Sequence, residues 1–425
     1  MSSASAVLTK QRDLLAKFVG TEPLSLQDRF WHELLTFSQP LPKLRPADVE
    51  EFIHPLCAQI VVNNDATHNF GKLLVHLVES LKSTPPAITD LPIKAVNTVY
   101  ITRVFLKYFT EHSTGSQIIG LLCDPPTDES PKPKTTARSA VLKATIQALF
   151  EFIGTNKPSK STYLLHLEVL NLLLVMTSTQ LTSAPGTSGH ETHPFLAAMM
   201  AETELAPMVL QALLTHYIER TPAPPNIPLY AADTPGMVSK VGSTAVSVLM
   251  MPFTLPYRGL FGAANAEAPA VESTAVLMDI SVLLVLVLVH HDPGTQDPNN
   301  PFRTALNTCR DTDYDVVSPA KGQDTKEIIR VPFSALYDTL GACLVDDRST
   351  LLLYSLIHGN SGFLDYVLVR TDLDTLLLPL LQMLYNASNR TANQIYMLLI
   401  ILLILSQDSS FNANIHKLIL PGVPW

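Results

Sequence analysis

Charge is scarce in this chain. Only 16% of its 425 residues are Asp, Glu, Lys or Arg, against about 25% in ordinary soluble domains. Much neutral surface must therefore be covered by the fold, by partners or by a membrane. The charge that remains sums to −9 and forms no basic stripe, which excludes nucleic acid as an expected partner. Cysteine is sparse too. Cys57, Cys123, Cys309 and Cys343 lie far apart with no CxxC pairing, a pattern of unpaired thiols in a reducing compartment. Long apolar runs are missing. Residues 280–289 are closed by Asp279 and His290, and 395–405 by Gln394 and Ser406; both fall short of the roughly 20 residues that span a bilayer. They read as core helices, with a membrane span as the rival reading. Residues 1–6 are small and polar with no apolar segment behind them, so no signal peptide is expected.

Catalytic signatures are also lacking. The sequence holds no P-loop, GxGxxG, GxSxG or HExxH, and no kinase set. His190 and His193 form an HxxH pair around Glu191, but Pro194 follows and GTSGHETHP reads as a loop; a solvated loop outweighs a zinc site there. His290, His291 and Asp292 close an apolar helix, where imidazoles would sit at the negative end of the helix dipole. Asp346, Asp347 and Arg348 precede a helix that Ser349 could cap. Phe105, Tyr108, Phe109, Tyr354, Tyr385 and Tyr396 sit at helical spacing and read as core. The expectation is a non-enzyme without cofactor or metal; the alternative is an enzyme on an unfamiliar helical scaffold.

What the chain has in abundance is apolar helix. Hydrophobic residues make up 47%, ample for a core. Two stretches break the helical pattern: a polar linker at 124–139, and a Pro-rich, nearly uncharged loop at 221–273. They divide the chain into an N-terminal helical region (1–123) and two blocks of helical repeats (140–220 and 274–425), the last without a clear C-terminal cap. Residues 161–180 are apolar around most of a helix and so read as buried on more than one side. Thr371 with Asp374 suggests a capping box, and Pro379 a kink or a tightened first turn.

A unit recurs: an apolar helix, a polar loop, a Phe, and a shorter helix. The Phe is Phe195, Phe302, Phe363 and Phe411, taken as the aromatics that dock each repeat. The last two lie 48 residues apart, close to the ~40–47 of armadillo and HEAT units. The fold class expected is all-α, an armadillo/HEAT-like solenoid with disordered insertions, over the alternative of one irregular helical domain. Within the long loop, Met250, Met251, Phe253, Leu255, Tyr257, Leu260 and Phe261 form an apolar cluster, a candidate contact for a partner or membrane surface. Folding of this loop back onto the helices is the competing reading.

Several blocks resemble the dymeclin family. FVGTEPLSLQDRFWHELLTFS (18–38) resembles its opening, through Gly20-Thr21-Glu22, Phe30-Trp31, Leu34-Leu35 and Phe37-Ser38. Residues 351–385 resemble its core, especially Arg370-Thr371-Asp372 and Leu378-Pro379. Residues 396–420 and Asn300-Pro301-Phe302-Arg303 do so as well. The resemblance is patchy over 40–270 and firm over 275–420. It implies a peripheral, cytoplasmic-side protein of the Golgi and vesicle traffic, a scaffold for trafficking proteins without catalytic residues. Two departures stand out. Position 2 is Ser2, where animal members carry the Gly that N-myristoylation requires, so that lipid is not expected here. Family members also run on past the equivalent of Trp425.

Overall fold

The computed structural model describes residues 2–37, 46–85, 90–122, 140–178, 194–224, 275–292, 299–312 and 328–417. Among them are eighteen α-helices, one 3-10 turn and a single pair of two-residue strands. The chain is therefore all-α. The linker 124–139, the loop 221–273 beyond residue 224, and the His190, Glu191 and His193 cluster lie outside the described residues.

The described residues form two compact units. The first holds α1 (Ser2–Val19), α2 (Arg29–Leu35), α3 (Pro46–Thr67), α4 (Asn69–Lys82), α5 (Ile93–His112), α6 (Gly115–Leu121), α7 (Ala140–Thr155), α8 (Tyr163–Thr177) and α9 (Pro194–Ala201). Its centre is α8, all of whose residues are buried, as the apolar all-round pattern of 161–180 requires. Helices α5, α7 and α9 pack around it. A buried ion pair joins two of these helices: Arg103 Nε of α5 donates to Glu168 Oε2 of α8 at 2.9 Å, with both side chains almost wholly buried. An unpaired ion there would cost several kcal/mol.

The second unit holds α10 (Ala206–Glu219), α11 (Val276–His290), α12 (Pro301–Thr308), α13 (Phe333–Cys343), α14 (Asp347–Gly359), α15 (Ser361–Val369), α16 (Asp374–Tyr385), α17 (Ala392–Ser406) and α18 (Ser409–Ile415). Parallel strands β1 (Arg310–Asp311) and β2 (Arg330–Val331) pair Arg310 with Arg330 and Asp311 with Val331. The long apolar helices follow one another in space: α11 packs against α14, and α14 against α17. Helix α13 meets α16 so closely that a Cβ on Gly341 would stand 2.6 Å from the Thr375 carbonyl oxygen.

Three local expectations are corrected. The capping box at Thr371 and Asp374 does not form. Arg370 holds the Asp372 carboxylate instead, and α16 starts from Leu373 without a side-chain cap. Genuine boxes stand at Thr114 with Gln117 and at Thr391 with Gln394. Ser349 is not a cap either: it is buried and accepts a hydrogen bond from Tyr217 Oη at 2.9 Å. Tyr385 and Tyr396 are not core residues. They are 66% and 67% exposed, because no described helix covers that side of α16 and α17.

Candidate functional site

Phe195, Phe302, Phe363 and Phe411 are all buried, each in the first turns of a short helix. In the second unit the sequence just before the Phe explains its placement. Asn300 is buried and accepts from the backbone N–H groups of Phe302 (2.9 Å) and Arg303 (3.0 Å), capping α12. Its amide donates backward to the carbonyls of Leu288 (2.7 Å) and His291 (2.9 Å), at the end of α11. One side chain thus satisfies donors of one helix and acceptors of another, groups that helix ends leave open.

Asn360 repeats the device. It accepts from Phe363 N–H at 2.8 Å and donates to the carbonyls of Leu306 (2.8 Å) and Cys309 (2.9 Å). At the third joint an aspartate takes the position. Asp408 accepts from Phe411 N–H at 2.8 Å but has no proton to donate, and Asn412 supplies the backward bond, to Ser406 O at 2.8 Å. Sequence reading found the Phe and missed its partner. The N-P-F, N-S-G-F and D-S-S-F spacings are N-cap signatures and carried the signal.

Buried asparagines do the same work in the first unit. Asn69 accepts from Leu24 N–H (2.9 Å) and donates to the carbonyls of Phe18 and Glu22 (both 3.1 Å), so the Gly20-Thr21-Glu22 segment is held through its backbone. Asn64 accepts from Phe70 N–H and donates to Leu121 O. Asn97 donates to Leu35 O and Phe37 O. The Trp31 ring meets Phe18 edge-on at 6.0 Å and a tilted His76 ring at 4.7 Å, and its Nε1 donates to Ser25 O.

The polar clusters resolve into structural roles. At the end of α11 the cation is Arg303, whose Nε donates to Val289 O at 2.9 Å. Burial lowers the pKa of His290 and His291, and the nearby Arg303 charge adds to this. His290 stands in the last turn of α11 and His291 at its C-cap, where the sequence places them. His290 Nε2 meets Ser355 Oγ at 2.9 Å, but that hydroxyl already donates to Leu351 O at 2.7 Å. The serine proton is committed, and the ring acts as donor, opposite to a base activating a nucleophile. Arg348 bridges Asp346 (2.9 Å) and Asp279 (3.1 Å). Asp347 is held by Gln394 and Arg390. Arg370 pairs with Asp372 and lies over the rings of Tyr337 (5.1 Å) and Tyr366 (5.6 Å), while Tyr337 Oη donates to Asp372 O. The resemblance block Arg370-Thr371-Asp372 thus fastens the segment that follows α15 onto Tyr337 of α13.

Burial pushes the Cys309 thiol up to about 12 and raises Cys57 and Cys343 as well, which makes them poor nucleophiles. Among the described residues no group of three or more His, Cys, Asp or Glu could hold a metal ion. No single described helix is long and apolar enough to cross a membrane. One bent pair, α17 with α18 at 103°, passes by length and composition alone. The seven loop residues Met250, Met251, Phe253, Leu255, Tyr257, Leu260 and Phe261 lie outside the described residues.

Comparison with known proteins gives one consistent match. The family model described as "Dymeclin: Dyggve-Melchior-Clausen syndrome protein" matches residues 1–425. The chain is 29% identical to Dymeclin of Gallus gallus, over 100% of this chain and 63% of that protein. It is 29% identical to Dymeclin of Mus musculus, over 98% and 62%. It is 28% identical to Dymeclin of Dictyostelium discoideum, over 88% and 43%. The chain thus spans less than two thirds of the length of these relatives. No solved structure matches.

Proposed function

Because this chain belongs to the dymeclin family, we propose that it is a non-catalytic helical-repeat scaffold, acting peripherally at Golgi membranes and holding proteins of vesicle traffic. The observation that carries the scaffold reading is the repeated joint. Asn300 with Phe302, Asn360 with Phe363, and Asp408 with Phe411 each turn a long apolar helix into a short docked one. The order α11, α14, α17 advances by one such joint at a time. Serial helix pairs that bury each other's faces are the plan of an armadillo/HEAT-like array, which offers extended surface for partners rather than a closed pocket. The polar clusters are consumed in holding helix ends, which favours a scaffold over an enzyme.

The Golgi assignment rests on the family. Contact with partners or with the membrane surface is assigned to the apolar loop around Met250, Met251, Phe253, Leu255, Tyr257, Leu260 and Phe261, a long stretch whose single charge is Arg258, of the kind that marks interaction sites. The experiment is imaging of a tagged chain before and after Golgi dispersal. Golgi signal that scatters on dispersal is expected; a diffuse signal throughout defeats the trafficking reading. Deleting residues 246–262 should remove vesicle co-flotation, and unchanged flotation would end the membrane role of the loop.

A further inference from the structure

Three apolar helices of similar composition are buried to very different degrees. Every residue of α8 is buried, and so are ten of the fifteen in α11. In α17 only Leu398, Ile401 and Leu405 are buried. Tyr396, Leu399 and Leu403 stand 67%, 51% and 59% exposed. Each triad has the spacing i, i+3, i+7, and the two are offset by two residues, about 200° around a helix. They therefore occupy opposite faces. The buried triad belongs to the side that packs on α14, α16 and α18; the exposed triad is a complete apolar stripe with no described helix over it.

The geometry points to this stripe as the seat of one further helical pair of the same repeat, its apolar helix lying on Tyr396, Leu399 and Leu403 as α17 lies on α14. Two observations select that occupant. Within the second unit each long helix is covered by the next, α11 by α14 and α14 by α17, so the stripe is the next position in an existing progression. The chain also spans only 62–63% of the chicken and mouse relatives, so the family has polypeptide from which such a pair can come. The chemistry disfavours other occupants. Residues 391–407 contain no Asp, Glu, Lys or Arg, whereas a helix lying on a membrane surface usually flanks its apolar face with Lys and Arg. A second copy would bring one net charge of −9 against another. The inference stands independently of the trafficking reading.

The test is co-expression of this chain with the longest stretch of chicken Dymeclin that lies outside the match. A co-purifying complex is expected, with slowed amide exchange along α17. Leu399→Asp combined with Leu403→Asp should weaken that complex by at least about tenfold, the scale of two lost apolar contacts. Because both sites are exposed, the circular dichroism and melting temperature of the chain should not change. Tyr396→Ser serves in their place where the double variant alters the dichroism. The proposal fails if no complex forms, or if the complex ignores the substitutions. It fails equally if the chain alone sediments as a dimer that the variant splits, or floats with phosphatidylcholine vesicles through the same stripe; the occupant is then a second copy or lipid.

Discussion

Asn360 and Asp408 occupy the same place in successive joints, and a single NH2-for-oxygen difference separates what they can do. The amide of Asn360 both caps α15 and donates to two carbonyls; the carboxylate of Asp408 only caps. Asn360→Asp should therefore keep the bond to Phe363 N–H yet leave the carbonyls of Leu306 and Cys309 facing a negative charge, at a cost of about 1–3 kcal/mol. Asp408→Asn should cost less than about 0.5 kcal/mol, because Asn and Asp cap equally well. Urea denaturation of the two variants separates them, and similar losses would refute the division of labour. At this scale the sequence was half legible. The phenylalanines stood out because burial selects large apolar residues. The asparagines did not, since Asn is ordinary in loops and only the fold shows which carbonyls lie within its reach.

Helix identity was the most legible level. Within the apolar stretch 161–180, residues 163–177 form the fully buried α8, and 280–289 form the core of α11. Helix ends were harder: Thr371 reads as a cap, yet α16 starts two residues later, from Leu373, without a side-chain cap. Glycines show a similar limit. Gly341 and Gly120 are both helical residues with no distinguishing flanks. A Cβ at Gly341 would meet Thr375 O at 2.6 Å and Thr375 Cγ2 at 2.7 Å, while a Cβ at Gly120 meets nothing within 4 Å. Gly341→Ala should destabilise by about 1–3 kcal/mol through overpacking. Gly120→Ala should stabilise by up to about 1 kcal/mol by restricting the unfolded chain. Thermal unfolding reads both, and a neutral Gly341→Ala would mean that α13 and α16 are farther apart than described.

Across the whole molecule, the membership of the chain in the dymeclin family was legible from ordered blocks at its two ends. The all-α class followed from apolar periodicity. The exposed side of α17 was not legible, because nothing in an apolar sequence says whether a neighbour is present. Burial also gives the molecule a pH response. It lowers the pKa of His76, His166, His290 and His291 below their ordinary value of 6.5. Unfolding restores that value, so the unfolded chain binds more protons in the window below it. The corresponding stability is full above 6.5 and drains away as pH falls toward the folded values. Urea midpoints should be lower at about pH 5.5 than at about pH 7.5. An equal or higher midpoint at the acid value would show that these rings are hydrated.

Residues 395–405 of α17 form eleven consecutive apolar side chains without proline or charge. Folded, they are a helix with one bare stripe. Unfolded, such a segment is free to pair edge to edge with its own copies as β-structure. It is the adhesive part of the denatured chain, so recovery from denaturant is a race between forming α17 and self-association, and dilution decides the winner.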